Sequence, residues 1–154
     1  MLTTWGGWGL GGAGAGVLIV AGGAWFVHRS FVAITVRGDS MAPTLLPGGR
    51  VLIRRGVSGL RPGGIAVIAS PDPDPARGWR EQPPVSRDLG AVSWFIKRVV
   101  AIEGDAMPKG VAGDAERVPP GHFVAIGDHP LSQDSKQYGP CPVDQVLGMM
   151  VRRL

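Results

Sequence analysis

Eighteen consecutive residues near the N-terminus, "LGGAGAGVLIVAGGAWFV" from Leu10 to Val27, carry no charge and no strongly polar side chain. At ~1.5 Å rise per residue, a helix of that length covers about 27 Å, enough to span a thin hydrocarbon core. Glycine is a poor helix former in water, but lipid penalises unpaired backbone far more heavily, so a helix is still expected. Trp5 and Trp8 before the run and Trp25 near its end fit aromatic belts at two interfaces. The "GGAGAG" stretch leaves a smooth face for a packing partner. A cleaved leader would need a basic start, yet no Lys or Arg precedes Arg29, and no small-x-small site follows the run. The expectation is a short tail over residues 1–9 and a transmembrane helix over residues 10–27. By charge alone, His28 and Arg29 would place the C-terminal end of that helix in the cytoplasm.

From Phe31 onward the pattern changes. "FVAITV", "RVLIRR", "IAVIAS", "SWFIKRVVAIE", "HFVAI" and "VLGMMVRR" alternate with period two or run as β-branched stretches, and all read as strands. Between them, "LLPGG", "LRPGG" and "RVPPGH" are turn sequences in which proline fixes φ and glycine takes positive φ. No segment past residue 30 sustains a helical period. The chain is therefore expected to be mostly β, a compact antiparallel sheet domain over residues 31–154 preceded by one helix. Gly 25 and Pro 14 make up about a quarter of the 154 residues, but the apolar fraction of 44% argues against disorder. Residues 70–91 are too rich in proline for a central strand and read as a long exposed loop.

The net charge of +4 does not demand nucleic acid and suits an acidic membrane surface equally well. Cys141 is the single cysteine, so no internal disulfide forms and no thiol cage holds a metal. Its plain reading is a small residue in a loop. No nucleotide motif and no metal motif is present, and no cofactor is expected.

The chemistry-bearing candidates are few. Ser40 lies in "GDSMAPTL", after one strand and at the start of a turn. A serine in such a turn is either structural or a nucleophile, and a nucleophile needs a base within hydrogen-bond reach. Of the three histidines, His28 borders the apolar run, His122 opens a strand, and only His129 lies in a plausible site loop. No G-x-S-x-G motif supports a Ser-His-Asp triad. Among the lysines, Lys97 stands in "SWFIKRVVAIEGD", where strand alternation points it the same way as Phe95 and Val99. Burial there would lower its pKa and make it a candidate base. A lysine that snorkels from a sheet edge fits the same segment.

Taken together, "GDSMAPTL", "FIKRVVAIEGD" and "GDHPLSQDSKQYGP", in that order, resemble the type I signal peptidase family of membrane-bound Ser-Lys serine proteases. The turns "LRPGGIAVIASP" and "VPPGHFVAIGDH" also resemble that family's. The resemblance covers roughly residues 31–154. It implies that Ser40 is the nucleophile, Lys97 the general base, and Met41 a residue lining the site. Ser132 matches the serine that hydrogen-bonds and orients the lysine, and Asp134 and Ser135 match a pair that buttresses the site. The Ser40 N–H would serve as an oxyanion donor, worth about 3–4 kcal/mol in other serine proteases. Gly38 stands where some members carry a second donor.

Three departures stand out. The segment from Gly127 to Ser132 is one residue shorter than the family pattern, with His129 in place of asparagine. Gly64 replaces an aspartate after "RPG". Few residues separate "AIEGD" from "VPPGH", so the inserted β-domain of larger members has no room. The resemblance implies a minimal enzyme of the cell membrane, single-pass, with its catalytic domain on the extracytoplasmic face, against the weak charge signal of His28 and Arg29. Its implied partners are leader peptides of exported proteins with small residues at −1 and −3, membrane lipid and the secretion machinery. A protease dedicated to one partner protein and a non-catalytic leader-binding protein are the alternatives. Self-cleaving Ser-Lys repressors would need a DNA-binding domain where this chain has its apolar run.

Overall fold

The computed structural model describes residues 29–80, 82–85, 89–90 and 92–154. The apolar run at residues 10–27 and the tail before it lie outside the described residues. No helix among the described residues is long and apolar enough to cross a membrane.

Phe31–Leu154 form one compact unit built on a single antiparallel sheet. Its strands are β1 (Phe31–Thr35), β2 (Arg50–Arg55), β3 (Ile65–Ala69), β4 (Trp94–Ile102), β5 (His122–Ile126), β6 (Cys141–Pro142) and β7 (Val146–Arg153). They lie in the order β1-β2-β7-β3-β4-β5-β6. Each of the six apolar segments past residue 30 forms a strand, and the two-residue β6 adds a seventh. One helical turn, α1 (Ser135–Tyr138), precedes β6, and a 3-10 turn at Val143–Gln145 follows it.

Strand alternation divides the core between the two faces of the sheet. Central β3 is buried at every position. Its Ile65 and Val67 join Ile34, Met41, Leu45, Val51, Ile53, Ile96 and Leu147 on one face. Its Ala66 and Ile68 join Trp79, Val99, Phe123, Cys141 and Met149 on the other. This two-sided burial explains why "IAVIA" reads as an unbroken apolar run. A smaller cluster of Ala101, Val111, Val118 and Val124 packs under the β4–β5 connection, whose only pairing among the described residues is one bridge between Ala106 and Arg117. Gly148 allows the close approach of β7 to β2, since a Cβ there would overlap Ile53 and the Arg54 carbonyl.

The described residues between 70 and 91 contain no strand, and most are exposed or half-buried, but Trp79 is an exception. Trp79 is buried at 2% exposure, donates from its indole N–H to the Ala69 carbonyl at 2.9 Å, and meets Tyr138 edge-on. A large aromatic ring with a satisfied N–H can enter a core, whatever prolines flank it. Val85 is tied by its N–H to the Asp144 carbonyl, and Gln145 donates to the Pro83 carbonyl. Cys141 lies on β6, buried, instead of in a loop; burial pushes its thiol well up, and Asp144 adds to the shift.

Candidate active site

Lys97 sits in the middle of β4, directly opposite Ala66 of β3, whose small side chain leaves room for the lysine stem. Alternation sends Phe95 and Lys97 to the same face, and the ammonium lies 4.9 Å from the Phe95 ring centroid. The residue is 2% exposed, which excludes a snorkelling lysine at a sheet edge. Its Nζ donates to Ser132 Oγ at 2.7 Å. Burial lowers its pKa from 10.5 to about 8; the Asp134 carboxylate opposes that shift and the Lys136 cation reinforces it. At mildly alkaline pH such an amine is substantially neutral and able to accept a proton.

The loop that supplies Ser132 is fastened to β5 by side chains that replace a neighbouring strand. Beyond the short β6, alternate N–H groups of β5 and its extension point outward with no ladder partner. Ser135 Oγ accepts from the Ala125 N–H at 3.0 Å, and Asp134 Oδ2 accepts from the Gly127 N–H at 2.9 Å. Both residues are fully buried. Asp134 also caps α1: its Oδ1 accepts from the Lys136 N–H, and the Gln137 side chain accepts from the Asp134 N–H in return. The Lys136 ammonium lies 3.7 Å from Asp134 Oδ2.

Ser40 reaches this loop through its backbone. The His129 N–H donates to the Ser40 carbonyl at 3.1 Å, and the Ser132 N–H donates to the His129 carbonyl at 3.0 Å. Gly127 fits between the two serines, where a Cβ would overlap both Ser132 and the Ser40 carbonyl. The His129 ring is occupied within its own turn, Nδ1 accepting from the Leu131 N–H at 3.2 Å. Ser40, Gly127, His129, Ser132 and Lys97, drawn from three separate sequence segments, thus form one connected group.

Met41, next to Ser40, is 1% exposed and belongs to the apolar core cluster that also holds Ile96 of the groove wall. A strand-to-turn transition with Ser40 facing outward sends the next side chain inward.

Arg98 and Asp128 were not singled out by the sequence. The Arg98 guanidinium clasps both oxygens of Asp128 at 2.8 and 2.7 Å, and its third nitrogen reaches the Gly63 carbonyl at 3.0 Å. Arg98 holds the Asp128 carboxyl below its ordinary range. Their adjacency to Lys97 and to "GDH" was the available signal, since an Arg one residue past a strand lysine faces the opposite side.

A groove of about 470 Å³ runs beside Ser40, lined also by Arg37, Leu89, Val92, Trp94, Phe95 and Ile96. Among the described residues, Trp94 to Lys97 pair only with β3, because β5 begins its pairing at Arg98. The other edge of this part of β4 therefore has no strand partner among the described residues.

Residues 12–108 match the family described as "Signal peptidase, peptidase S26". The chain is also 34% identical over 128 residues to the mitochondrial ATP-independent inner membrane protease subunit 1b of Arabidopsis thaliana, covering 76% of this chain and 66% of the relative. The family match spans more than half of the sequence, and the chain belongs to the type I signal peptidase family.

Proposed function

We propose that this chain is a membrane-anchored serine endopeptidase that removes leader peptides from exported proteins, with Ser40 as nucleophile and Lys97 as general base. The observation that carries this reading is the burial of Lys97, which lowers its pKa to about 8 while Ser132 holds its nitrogen. Family membership supports a leader-peptidase role.

In the first step neutral Lys97 takes the Ser40 proton as Oγ bonds to the scissile carbonyl carbon. The Ser40 N–H donates to the oxyanion. The C–N bond then breaks, the lysine returns its proton to the departing amine, and the leader remains as an ester on Ser40. Water, deprotonated by Lys97, attacks the ester, and the Ser40 oxygen leaves with a proton from the lysine. Ser132 orients the amine, while Asp134 and Ser135 hold the Ser132 loop on β5. The leader lies extended along the open edge of β4, with small residues at −1 and −3 against the apolar wall of the groove.

Residues 10–27 anchor the domain at the bilayer, and the domain over residues 31–154 works on the extracytoplasmic face, where leaders emerge beside the secretion machinery. Mass mapping of products from peptides that join a leader ending in Ala-x-Ala to a stretch of mature sequence tests the reading. Cleavage after the last alanine, abolished in Ser40→Ala, is the expected result; intact peptide with wild-type protein would sink it. A panel of unrelated leaders separates a general enzyme from one dedicated to a single partner, which would cut only one of them.

A further inference from the structure

The groove beside Ser40 has an apolar wall of Leu89, Val92, Trp94, Phe95 and Ile96, and among its lining residues only Arg37 is charged. The chain holds that residue firmly at its place. Val36, immediately before it, is buried at 3% exposure, donates its N–H to the Gly49 carbonyl at 2.8 Å, and accepts from the Gly48 N–H at 3.0 Å. Gly38, immediately after it, takes a φ of 70°, which turns the chain and brings Ser40 onto the same groove. Alternation after a buried Val36 directs Arg37 outward. No carboxylate among the described residues pairs with it, whereas Arg77 and Arg98 each hold an aspartate.

From this arrangement we infer that Arg37 selects substrates with an acidic side chain close to the scissile bond. The inference rests on the endopeptidase reading and adds a charge requirement to it. A guanidinium at the rim of an apolar groove presents paired N–H donors matched to a carboxylate, and the low-dielectric wall strengthens their attraction. The same charge rejects a substrate lysine at that position, so discrimination comes from repulsion as well as attraction.

The test uses the protein in detergent and peptides that join a leader ending in Ala-x-Ala to at least five further residues, each carrying a single Glu, Gln or Lys walked from −4 to +3, with −1 and −3 kept small. The quantity read is the ratio of kcat/KM for Glu against Lys within each enzyme, which cancels any change in overall rate. At one position wild type should prefer Glu by about fivefold, as expected for a partly exposed ion pair. Arg37→Glu should invert the order at that position alone, and added salt should weaken the preference.

If Arg37→Glu leaves the ratio unchanged at every position while both enzymes cut the neutral peptide, the inference is overturned and the endopeptidase reading stands. If it lowers cleavage of all peptides equally, Arg37 serves folding or faces lipid, and the inference is likewise overturned. If wild type cuts none of the peptides, the endopeptidase reading falls and takes this one with it.

Discussion

Arg98 lies fork to fork on Asp128, with Nε to Oδ1 at 2.8 Å and Nη2 to Oδ2 at 2.7 Å. That pair joins β4, one residue past Lys97, to the loop that carries His129 and Ser132. It also brings in Gly63, whose carbonyl accepts from Arg98, and Thr44 lies 3.5 Å from the same guanidinium. Asp128→Asn should therefore loosen several segments around the candidate site at once. Bidentate geometry favours a larger effect than an ordinary surface pair, but Arg98 is about a third exposed, so the loss should be about 1 kcal/mol. Urea unfolding of wild type and variant checks it. The Asp128 pKa is depressed in the folded state, so the pair's stabilisation is present above the unfolded pKa of about 4 and is lost as pH falls through the folded value. The difference between the two proteins should shrink below that point.

Lys97 makes the opposite linkage. Its folded pKa of about 8 lies below the ordinary lysine value of 10.5, so across that interval the unfolded chain binds more protons and stability rises with pH. Below about 8 the buried cation costs up to about 3 kcal/mol. Lys97→Met keeps the volume, removes the charge and leaves Ser132 without its donor. It should raise stability at pH 7 by about 1 to 3 kcal/mol while abolishing cleavage. Thermal unfolding alongside a peptide assay shows whether stability and activity part in this way.

Ser135 and Asp134 cap donors that the sheet leaves open. Ser135→Ala removes the acceptor of the buried Ala125 N–H and should cost about 1–3 kcal/mol. Amide exchange at Ala125 should accelerate more than at Val99 or Val124, and an unchanged rate at Ala125 would contradict the assignment.

Gly127 has no room for a side chain. Gly127→Ala would push a methyl group against Ser132 and the Ser40 carbonyl. Cleavage should fall at least a hundredfold through misplacement of reacting groups. A near wild-type rate would mean that the two serines are not held together as described.

Most of the sheet was legible in the sequence because strand alternation and Pro-Gly turns are local signals. The segments "RVLIRR", "HFVAI" and "VLGMMVRR" coincide with β2, β5 and β7. β6 was not legible, since Cys141 and Pro142 show no period and pair only because β5 lies beside them. Trp79 was hidden by its proline-rich surroundings, its burial depending on Ala69 and Tyr138, which are distant in sequence. The burial of Lys97 was ambiguous from β4 alone and is decided by the Ser132 loop and by the face of the sheet it enters. The burial of Met41 was not legible from the motif, which names its neighbour Ser40 and says nothing of the core beneath it.

The most direct test of the account is the pH dependence of kcat/KM for one leader peptide, from pH 6 to 11, with Lys97→Ala as control. An acidic limb with an apparent pKa near 8, matching the buried amine, and no cleavage by the variant is the predicted result. Cleavage by Lys97→Ala at a rate close to wild type, or a limb near 6.5 of the kind a histidine gives, would contradict it.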